Sequence, residues 1–305
     1  MLDDDSTVSR DAFAHAVRET TDGVLLRSDH HPLRGYTPIA FRHYVRRLAL
    51  FDVMKQLDFR TALDVGCAEG YFMSEIRDRF AAEVWGVDIS PVAVAKAHER
   101  WDVPVAAADA KRLPFRDNSF DIVYSTEVIE HVLDPELMLA ELKRVARHTV
   151  LVTTPVSQSA DEHEPDFDLR SEGHVHNFDP ATVRRVFGSN ATLRSFRCNA
   201  TLSLIVAAGR YMPAGIRDAF YGLDHAVSQR LGSPTRAFKP LRNRDWLITV
   251  PATAGASAEP GFICPACHGE LAEQGAQLRC TGCGTLYDAP DGVPDFFDAA
   301  SAATH

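Results

Sequence analysis

Short apolar runs alternate with longer amphipathic segments through most of the chain, the pattern that β-α-β units and a parallel sheet produce. The runs predict strands at Ala62–Val65, Glu83–Val87, Val103–Ala107, Phe120–Tyr124, Thr149–Thr153, Ala191–Cys198 and Trp246–Val250. Helix starts are marked by Ser90-Pro91 and Asp134-Pro135, each an N-cap side chain followed by proline at the first helical position. Ahead of the first strand, Phe41, Val45, Leu48, Phe51 and Met54 recur at helical spacing, with Arg42, Arg46 and Arg47 off that stripe. This leading helix is expected across the C-terminal edge of the sheet or beside it.

One composition break interrupts the pattern. Ala252–Pro260 (ATAGASAEP) is a run of small residues with a proline and reads as a flexible linker. The expected organisation is a helical N-terminal cover over 1–57, an α/β domain over 58–251, a linker over 252–261 and a small module over 262–300. A chain of 305 residues, 45% apolar and 24% charged, is long enough for one large core and a small second unit. None of its apolar runs approaches the roughly 18–20 residues that span a bilayer. The acidic start MLDDDSTVSRD resembles neither a secretion signal nor a transit peptide, so the expected compartment is the cytoplasm. A net charge of −10 argues against a dedicated nucleic-acid binder, although Arg210–Asp245 carries seven Lys/Arg against three Asp.

The six cysteines do not form a disulfide framework. Cys264-x-x-Cys267 and Cys280-x-x-Cys283 are two pairs twelve residues apart, and each can bend into a knuckle that presents two thiolates to Zn²⁺. A tail this short builds little core, so metal would supply its folding energy. Cys67 and Cys198 read as small buried thiols.

Chemistry concentrates in Ala62-Leu-Asp-Val-Gly-Cys-Ala-Glu-Gly-Tyr-Phe72, a strand running through a glycine turn into a helix. Such a turn lets the backbone approach a ligand, and the helix start brings free N–H groups. Asp88 closes the next strand 22 residues after Gly66, where a carboxylate accepts both hydroxyls of a ribose. Glu69 would repel a pyrophosphate, which disfavours a dinucleotide and suits a sulfonium cofactor with an amino-acid tail.

These residues resemble the class I S-adenosylmethionine-dependent methyltransferases, in particular the type 11, ubiquinone O-methyltransferase-like group. Asp64-x-Gly66-x-x-x-Gly70 matches the first motif, Asp88 the ribose acid, and Ala108-Asp109-Ala110 the segment beside the adenine. Leu113-Pro-Phe115 through Ser119-Phe-Asp-Ile-Val123 matches the approach to the fourth strand, and the similarity spans roughly Thr61–Pro155. Ala68 stands where many members carry a second glycine. The resemblance implies a Rossmann-like α/β fold with a seven-stranded, mostly parallel sheet and helices on both faces. It also implies that Asp64, Gly66, Cys67, Ala68, Glu69, Gly70, Asp88, Ile89, Asp109, Ala110 and Thr126 bind S-adenosylmethionine.

After the fourth strand, Glu127, Glu130 and His131 would share a face if the segment is helical, and His174 and His176 lie in a later loop. Glu127, Glu130, His131 and His176 are similar to the metal-binding set of the small-RNA 3′-terminal 2′-O-methyltransferases, and ubiquinone-type enzymes carry a related Glu-x-x-Glu-His. Three readings stand side by side: a Mg²⁺ or Mn²⁺ site that lowers a hydroxyl pKa, His131 or His176 with Glu130 as catalytic acid–base groups, or a structural cluster.

Ile263–Phe297 is similar to the small zinc-ribbon activator proteins that bind methyltransferases, which implies docking on its own domain or on a protein partner. Six Asp/Glu against one Arg in Phe262–Ala300 disfavour RNA phosphates as its ligand. The substrate pocket is expected under a roof formed by the N-terminal segment (His30, His31, Tyr36, His43), residues 157–180 and residues 203–245. Pro213 there would open a helix with an apolar stripe of Ile216, Phe220, Leu223, Val227 and Leu231. The expected function is methyl transfer to a hydroxyl of a small-molecule, sugar or lipid-linked acceptor. The alternatives are an RNA methyltransferase and a non-catalytic cofactor-binding partner of another enzyme.

Overall fold

The computed structural model describes residues 38–155, 175–176, 178–197, 213, 216, 219, 223, 244–252 and 255–297. The expectations for His30, His31, Tyr36, His174, Phe220, Val227 and Leu231 lie outside the described residues, as do the side chains of Phe41, His43 and Val45. Ile216 and Leu223 are 51% and 55% exposed, so these two members of the apolar stripe do not pack into a core.

Helix α1 (Pro38–Met54) leads into β1 (Thr61–Val65), α2 (Tyr71–Phe80), β2 (Glu83–Asp88), α3 (Pro91–Trp101) and β3 (Val105–Ala107). Then follow β4 (Phe120–Thr126), a 3₁₀ turn (Ile129–His131), α4 (Pro135–Val145), β5 (Ala146–Pro155), α5 (Pro180–Phe187), β6 (Thr192–Arg197) and β7 (Arg244–Pro251). The seven strands form one sheet in the order β3-β2-β1-β4-β5-β7-β6, with β7 antiparallel to both neighbours and the pairs from β3 to β5 parallel. Each expected strand is present, with ends shifted by a few residues where the ladder runs past the apolar run. Strand order reverses between β1 and β4, and in open α/β sheets ligands bind at such a switch point, beyond the carboxyl ends of the strands.

Alternation along the strands divides the core between the two faces. Ala62, Ile122, Tyr124 and Leu247 pack with Leu50, Phe51 and Met54 of α1, Met73 and Ile76 of α2 and Val94 of α3. Leu63, Val123, Val150 and Ile248 pack with Met138 and Leu142 of α4 and Val183 of α5. Strands buried on both faces read as continuous apolar runs, which is why the sequence marks them so clearly. The Ser90 hydroxyl accepts the Ala93 N–H at 3.0 Å and caps α3 as expected, whereas α4 starts without a side-chain cap bond from Asp134.

Strands β8 (Leu271–Gln274), β9 (Gln277–Cys280) and β10 (Leu286–Asp288) form a separate antiparallel sheet in the order β10-β9-β8. This ribbon packs on the α/β body. Ala107 of the edge strand β3 donates its N–H to the Pro294 carbonyl at 2.8 Å and accepts the Phe296 N–H at 2.8 Å. The unpaired edge of the large sheet is thereby covered. Ile263 donates to the Pro114 carbonyl at 2.9 Å, and the Phe262 ring lies 5.0 Å from Trp85 and 5.3 Å from Phe115. Cys264, Cys280, Tyr287 and Phe296 of the ribbon belong to the same buried cluster as Leu63 and Val150 of the sheet.

Parts of the small-residue stretch before the ribbon also lie against the body. Ala252 donates to the His148 carbonyl at 2.9 Å, Ala258 donates to the Asn118 carbonyl at 3.2 Å, and Arg147 donates to the Ala258 carbonyl at 3.1 Å. Residues with little side chain bring their own backbone close to the body, and that backbone makes the bonds. Among the described residues no helix is long and apolar enough to cross a membrane.

Candidate active site and metal centre

The turn after β1 is built from backbone that only small residues tolerate. Gly66 has φ +87°, and a Cβ there would lie 2.2 Å from Val128 Cγ2. Gly70 has φ +74°, and its Cβ would meet Trp101 and Ala97 of α3 at 2.9 and 3.0 Å. Ala68 is left-handed as well, at φ +46°, so the position where relatives carry glycine keeps glycine's conformation. Gly66 and Cys67 both donate to the Val87 carbonyl, which ties the turn to the end of β2.

Asp88 braces this turn from the other side. Its Oδ2 accepts the Ala68 N–H at 2.9 Å and its Oδ1 accepts the Ser90 N–H at 3.0 Å. Asp64, at the end of β1, is 2% exposed, and its Oδ1 has no hydrogen-bond partner. Burial pushes its carboxyl well above the usual carboxylate range, opposed by the Tyr124 hydroxyl and reinforced by Asp88. The Tyr124 hydroxyl is itself buried and lacks a geometrically satisfied bond. Burial, with Asp88 and Asp64, raises the Cys67 thiol, which is consistent with an inert thiol. Buried polar atoms left without partners are uncommon in folded proteins, and they fit a polar ligand seated at this turn.

Glu69 is turned away from that role. Both of its oxygens are engaged, by Lys96 at 3.1 Å and by Arg100 at 3.0 Å, while its carbonyl accepts the Trp101 Nε1–H at 2.9 Å. Its carboxylate therefore fastens α3 to the turn. Asp109 folds back on its own loop, its Oδ1 accepting the Lys111 N–H at 2.9 Å. Ile89, Ala110 and Thr126 are half-buried beside these groups.

At the end of β4 the expected helical face does not form. Glu127 has φ +58°, and the single 3₁₀ turn covers only Ile129–His131. Glu127 is instead held by Arg46 of α1, whose guanidinium lies 2.6 Å from its Oε2, and by the Thr153 hydroxyl, which donates to its Oε1 at 3.1 Å. The same guanidinium binds the buried Asp245 of β7. Glu130 is 1% exposed; its Oε2 accepts the Thr154 hydroxyl at 3.2 Å, and its Oε1 has no partner. Burial, then the Glu127 charge, pushes the Glu130 carboxyl well above its ordinary range. His176 is brought to this turn by its backbone, its N–H donating to the Glu130 carbonyl at 3.2 Å, while its ring Nε2 bonds the Leu133 carbonyl at 3.0 Å.

Among the described residues, one group of three or more His, Cys, Asp or Glu brings its ligand atoms within 4.8 Å of one another, and it is Cys264, Cys267, Cys280 and Cys283. Glu127, Glu130, His131 and His176 are all described and do not converge in this way. Glu127 is committed to Arg46, and His176 to a backbone carbonyl, so the expected Mg²⁺ or Mn²⁺ site is not assembled.

The four cysteines do fit a metal. Cys264 and Cys283 Sγ are 3.7 Å apart and Cys267 and Cys280 Sγ are 3.4 Å apart, near the edge of about 3.8 Å that a Zn–S bond of about 2.3 Å gives a tetrahedron. The two knuckles repeat one design. His268 donates to the Cys264 carbonyl and Gly284 to the Cys280 carbonyl, with φ +60° and +79°. The Tyr287 hydroxyl lies 3.0 Å from Cys264 Sγ and supports that ligand from the buried side. Hydrogen bonds from the Thr285 hydroxyl and N–H lower Cys283 to about 6, while its bond to Cys280 raises Cys267 to about 12.

Residues 63–152 match the family model described as a methyltransferase domain. Residues 63–152 thus resemble a methyltransferase domain. The chain is 33% identical over 174 residues to the 2-methyl-6-phytyl-1,4-hydroquinone methyltransferase of Synechocystis, covering 52% of this chain and 55% of that protein. Other relatives are named as O-, N- and C-methyltransferases, and the matches span about half or less of the curated relatives' length. In fold, the methyltransferase domain resembles phosphoethanolamine N-methyltransferase 2 of Haemonchus contortus in complex with S-adenosylhomocysteine. That match has a TM-score of 0.53 at 16% identity and covers 82% of this chain and 61% of that one. It also resembles a chain from the complex of a Haloferax volcanii putative methyltransferase with the Trm112 activator, at TM-score 0.51 and 19% identity, over 79% and 99% of the two chains.

Sequence reasoning missed Arg46, Val128, Thr153, Thr154 and Asp245. Arg46 and Asp245 carry charge into positions where pattern predicts solvent, and their pairing across 199 residues leaves no local signal.

Proposed function

We propose that this chain transfers the methyl group of S-adenosylmethionine to a hydroxyl of a small-molecule, sugar or lipid-linked acceptor. The observation that carries the donor assignment is the turn itself, where the buried Asp64 Oδ1 has no partner beside a glycine backbone that admits no Cβ. Asp64, Gly66, Cys67, Ala68 and Gly70 would hold the amino-acid end, Asp88 and Ile89 the ribose, and Asp109, Ala110 and Thr126 the adenine side. Bound there, S-adenosylmethionine supplies an electrophilic methyl group on a sulfonium. Relatives named as O-methyltransferases support a hydroxyl acceptor, and the excess of carboxylate over cationic side chains disfavours a nucleic acid.

The residues after β4 supply the acid–base chemistry in this reading. A carboxyl raised above its ordinary range is a stronger base than an ordinary one, and burial, then the Glu127 charge, raise Glu130 in that direction. Glu130 takes the proton that the acceptor hydroxyl sheds, and His131 and His176 flank it and orient the acceptor. The rest of the rate comes from holding the reacting atoms in line, which needs no strong catalytic group.

In the same reading the ribbon holds one Zn²⁺ on Cys264, Cys267, Cys280 and Cys283, and serves as a fixed part of its own enzyme. Its contacts with β3 and with Phe115 support this. The test is transfer of labelled methyl by the full chain against Glu130→Gln and against His131→Ala with His176→Ala. Turnover should fall in both. Unchanged turnover in both would overturn the acid–base assignment.

A further inference from the structure

The group formed by Arg46, Glu127 and Asp245 enters the chemistry above only through the Glu127 charge beside Glu130. Arg46 comes from α1, Asp245 from β7 and Glu127 from the end of β4. Arg46 is 7% exposed and binds both carboxylates. The guanidinium thus compensates charge on both carboxylates, one of them fully buried.

What the guanidinium holds matters more than the ion pairs themselves. Glu127 is a left-handed residue with a full side chain, a conformation that persists only where its surroundings dictate it. Three contacts dictate it here: the Glu127 N–H bonds the Thr153 carbonyl at 3.0 Å, the Thr153 hydroxyl bonds Glu127 Oε1, and Arg46 grips Oε2. The next residue is Val128, whose side chain fills the space over Gly66 so closely that a Cβ there would lie 2.2 Å from it. A continuous series of contacts thus runs from α1 through Glu127 and Val128 to the glycine turn.

We propose that Arg46 is a positioning residue for the donor site, fixing the reversed backbone at Glu127 and thereby seating Val128 on Gly66. Without the guanidinium, the Glu127 side chain loses its tie to α1 and β7, and Val128 is pressed less firmly against the turn. The donor site would then loosen although Arg46 itself lies behind Glu127 and Val128. This inference rests on the reading of the glycine turn as the donor site.

The test is calorimetric titration of the full chain with S-adenosylhomocysteine, for wild type, Arg46→Lys, Arg46→Met and Arg47→Met. Arg47 pairs with Glu75 of α2 and serves as the control for losing an ion pair from the same helix. Arg46→Met should bind about tenfold more weakly, Arg46→Lys should lie between it and wild type, and Arg47→Met should bind as wild type does. If Arg46→Met does not fold, Glu127→Ala removes the same tie and should show the same weakening. Binding by Arg46→Met or Glu127→Ala within about twofold of wild type would overturn the proposal. Equal weakening in Arg47→Met would also overturn it, because the effect would then follow lost stability. Failure of wild type to bind would overturn the donor-site reading instead.

Discussion

Gly66→Ala tests the construction of the donor turn with a single methyl group. Two separate costs follow from the geometry. The backbone at φ +87° is left-handed, which costs a residue bearing a Cβ roughly 1–2 kcal/mol. The new Cβ also meets Val128 Cγ2 at 2.2 Å, with Val128 Cβ at 3.4 Å and Cγ1 at 3.6 Å. Forcing a side chain aside in a packed interior costs about 1–3 kcal/mol. Val128 has little room to retreat, because Glu127 before it is tied to Arg46 and Thr153 and Ile129 after it is buried. The expected destabilisation is therefore about 2–5 kcal/mol, the sum of the two terms. Urea unfolding of wild type, Gly66→Ala, Val128→Ala and the double variant measures it, provided the denaturant slope is unchanged. Val128→Ala should recover the steric part and leave the backbone part, giving a coupling of about 1–3 kcal/mol between the two sites. Affinity for S-adenosylhomocysteine should fall in Gly66→Ala. A loss below about 0.5 kcal/mol, which is the scatter of neutral surface changes, would refute the reasoning, and so would perfect additivity in the double variant.

Other positions yield further predictions. Ala68→Gly should stabilise the chain by less than about 1.5 kcal/mol, because relief at φ +46° exceeds the added flexibility of the unfolded chain; a lower midpoint in the same urea assay would contradict this. Glu130 has a folded-state pKa raised above its unfolded value, so its contribution is fully present below the ordinary Glu range and is lost as pH rises through the folded pKa. Glu130→Gln should therefore gain stability over wild type progressively as pH rises from the ordinary Glu range upward while losing turnover, and stability curves that stay parallel across pH would exclude the assignment. Stripping the metal with a chelator should lower the melting transition of the whole chain, since Tyr287 and Phe296 share a buried cluster with the main sheet; calorimetry showing an unmoved main transition would contradict it.

The fold was legible wherever burial on both faces wrote a continuous apolar run, as at Leu63, Val123 and Val150. The donor turn was legible because Gly66, Gly70 and Asp88 are demanded by backbone geometry and by bracing bonds, not by packing alone. The cysteine centre was legible for the same reason, since four thiolates at knuckle spacing have few other uses. The segment after β4 was misjudged. Helical spacing among Glu127, Glu130 and His131 is a local signal, but a long-range guanidinium and a threonine hydroxyl hold Glu127 outside the helix. The ties from Glu69 to Lys96 and Arg100, one helix later, were likewise not legible. The contacts that Ala252 and Ala258 make with the body were not legible either, because small residues allow close backbone docking that no local pattern announces. In each of these cases the deciding partner lies far away in sequence, where periodicity carries no information.

The central claim is transfer of a methyl group from S-adenosylmethionine to a hydroxyl. The most direct measurement follows isotopically labelled methyl from S-adenosylmethionine into fractionated cell extract incubated with the full, metal-loaded chain. The account predicts label in the small-molecule or organic-soluble fraction, bound to oxygen as an ether. Label destroyed by ribonuclease, or no label in any fraction from a chain that binds S-adenosylhomocysteine, would contradict it.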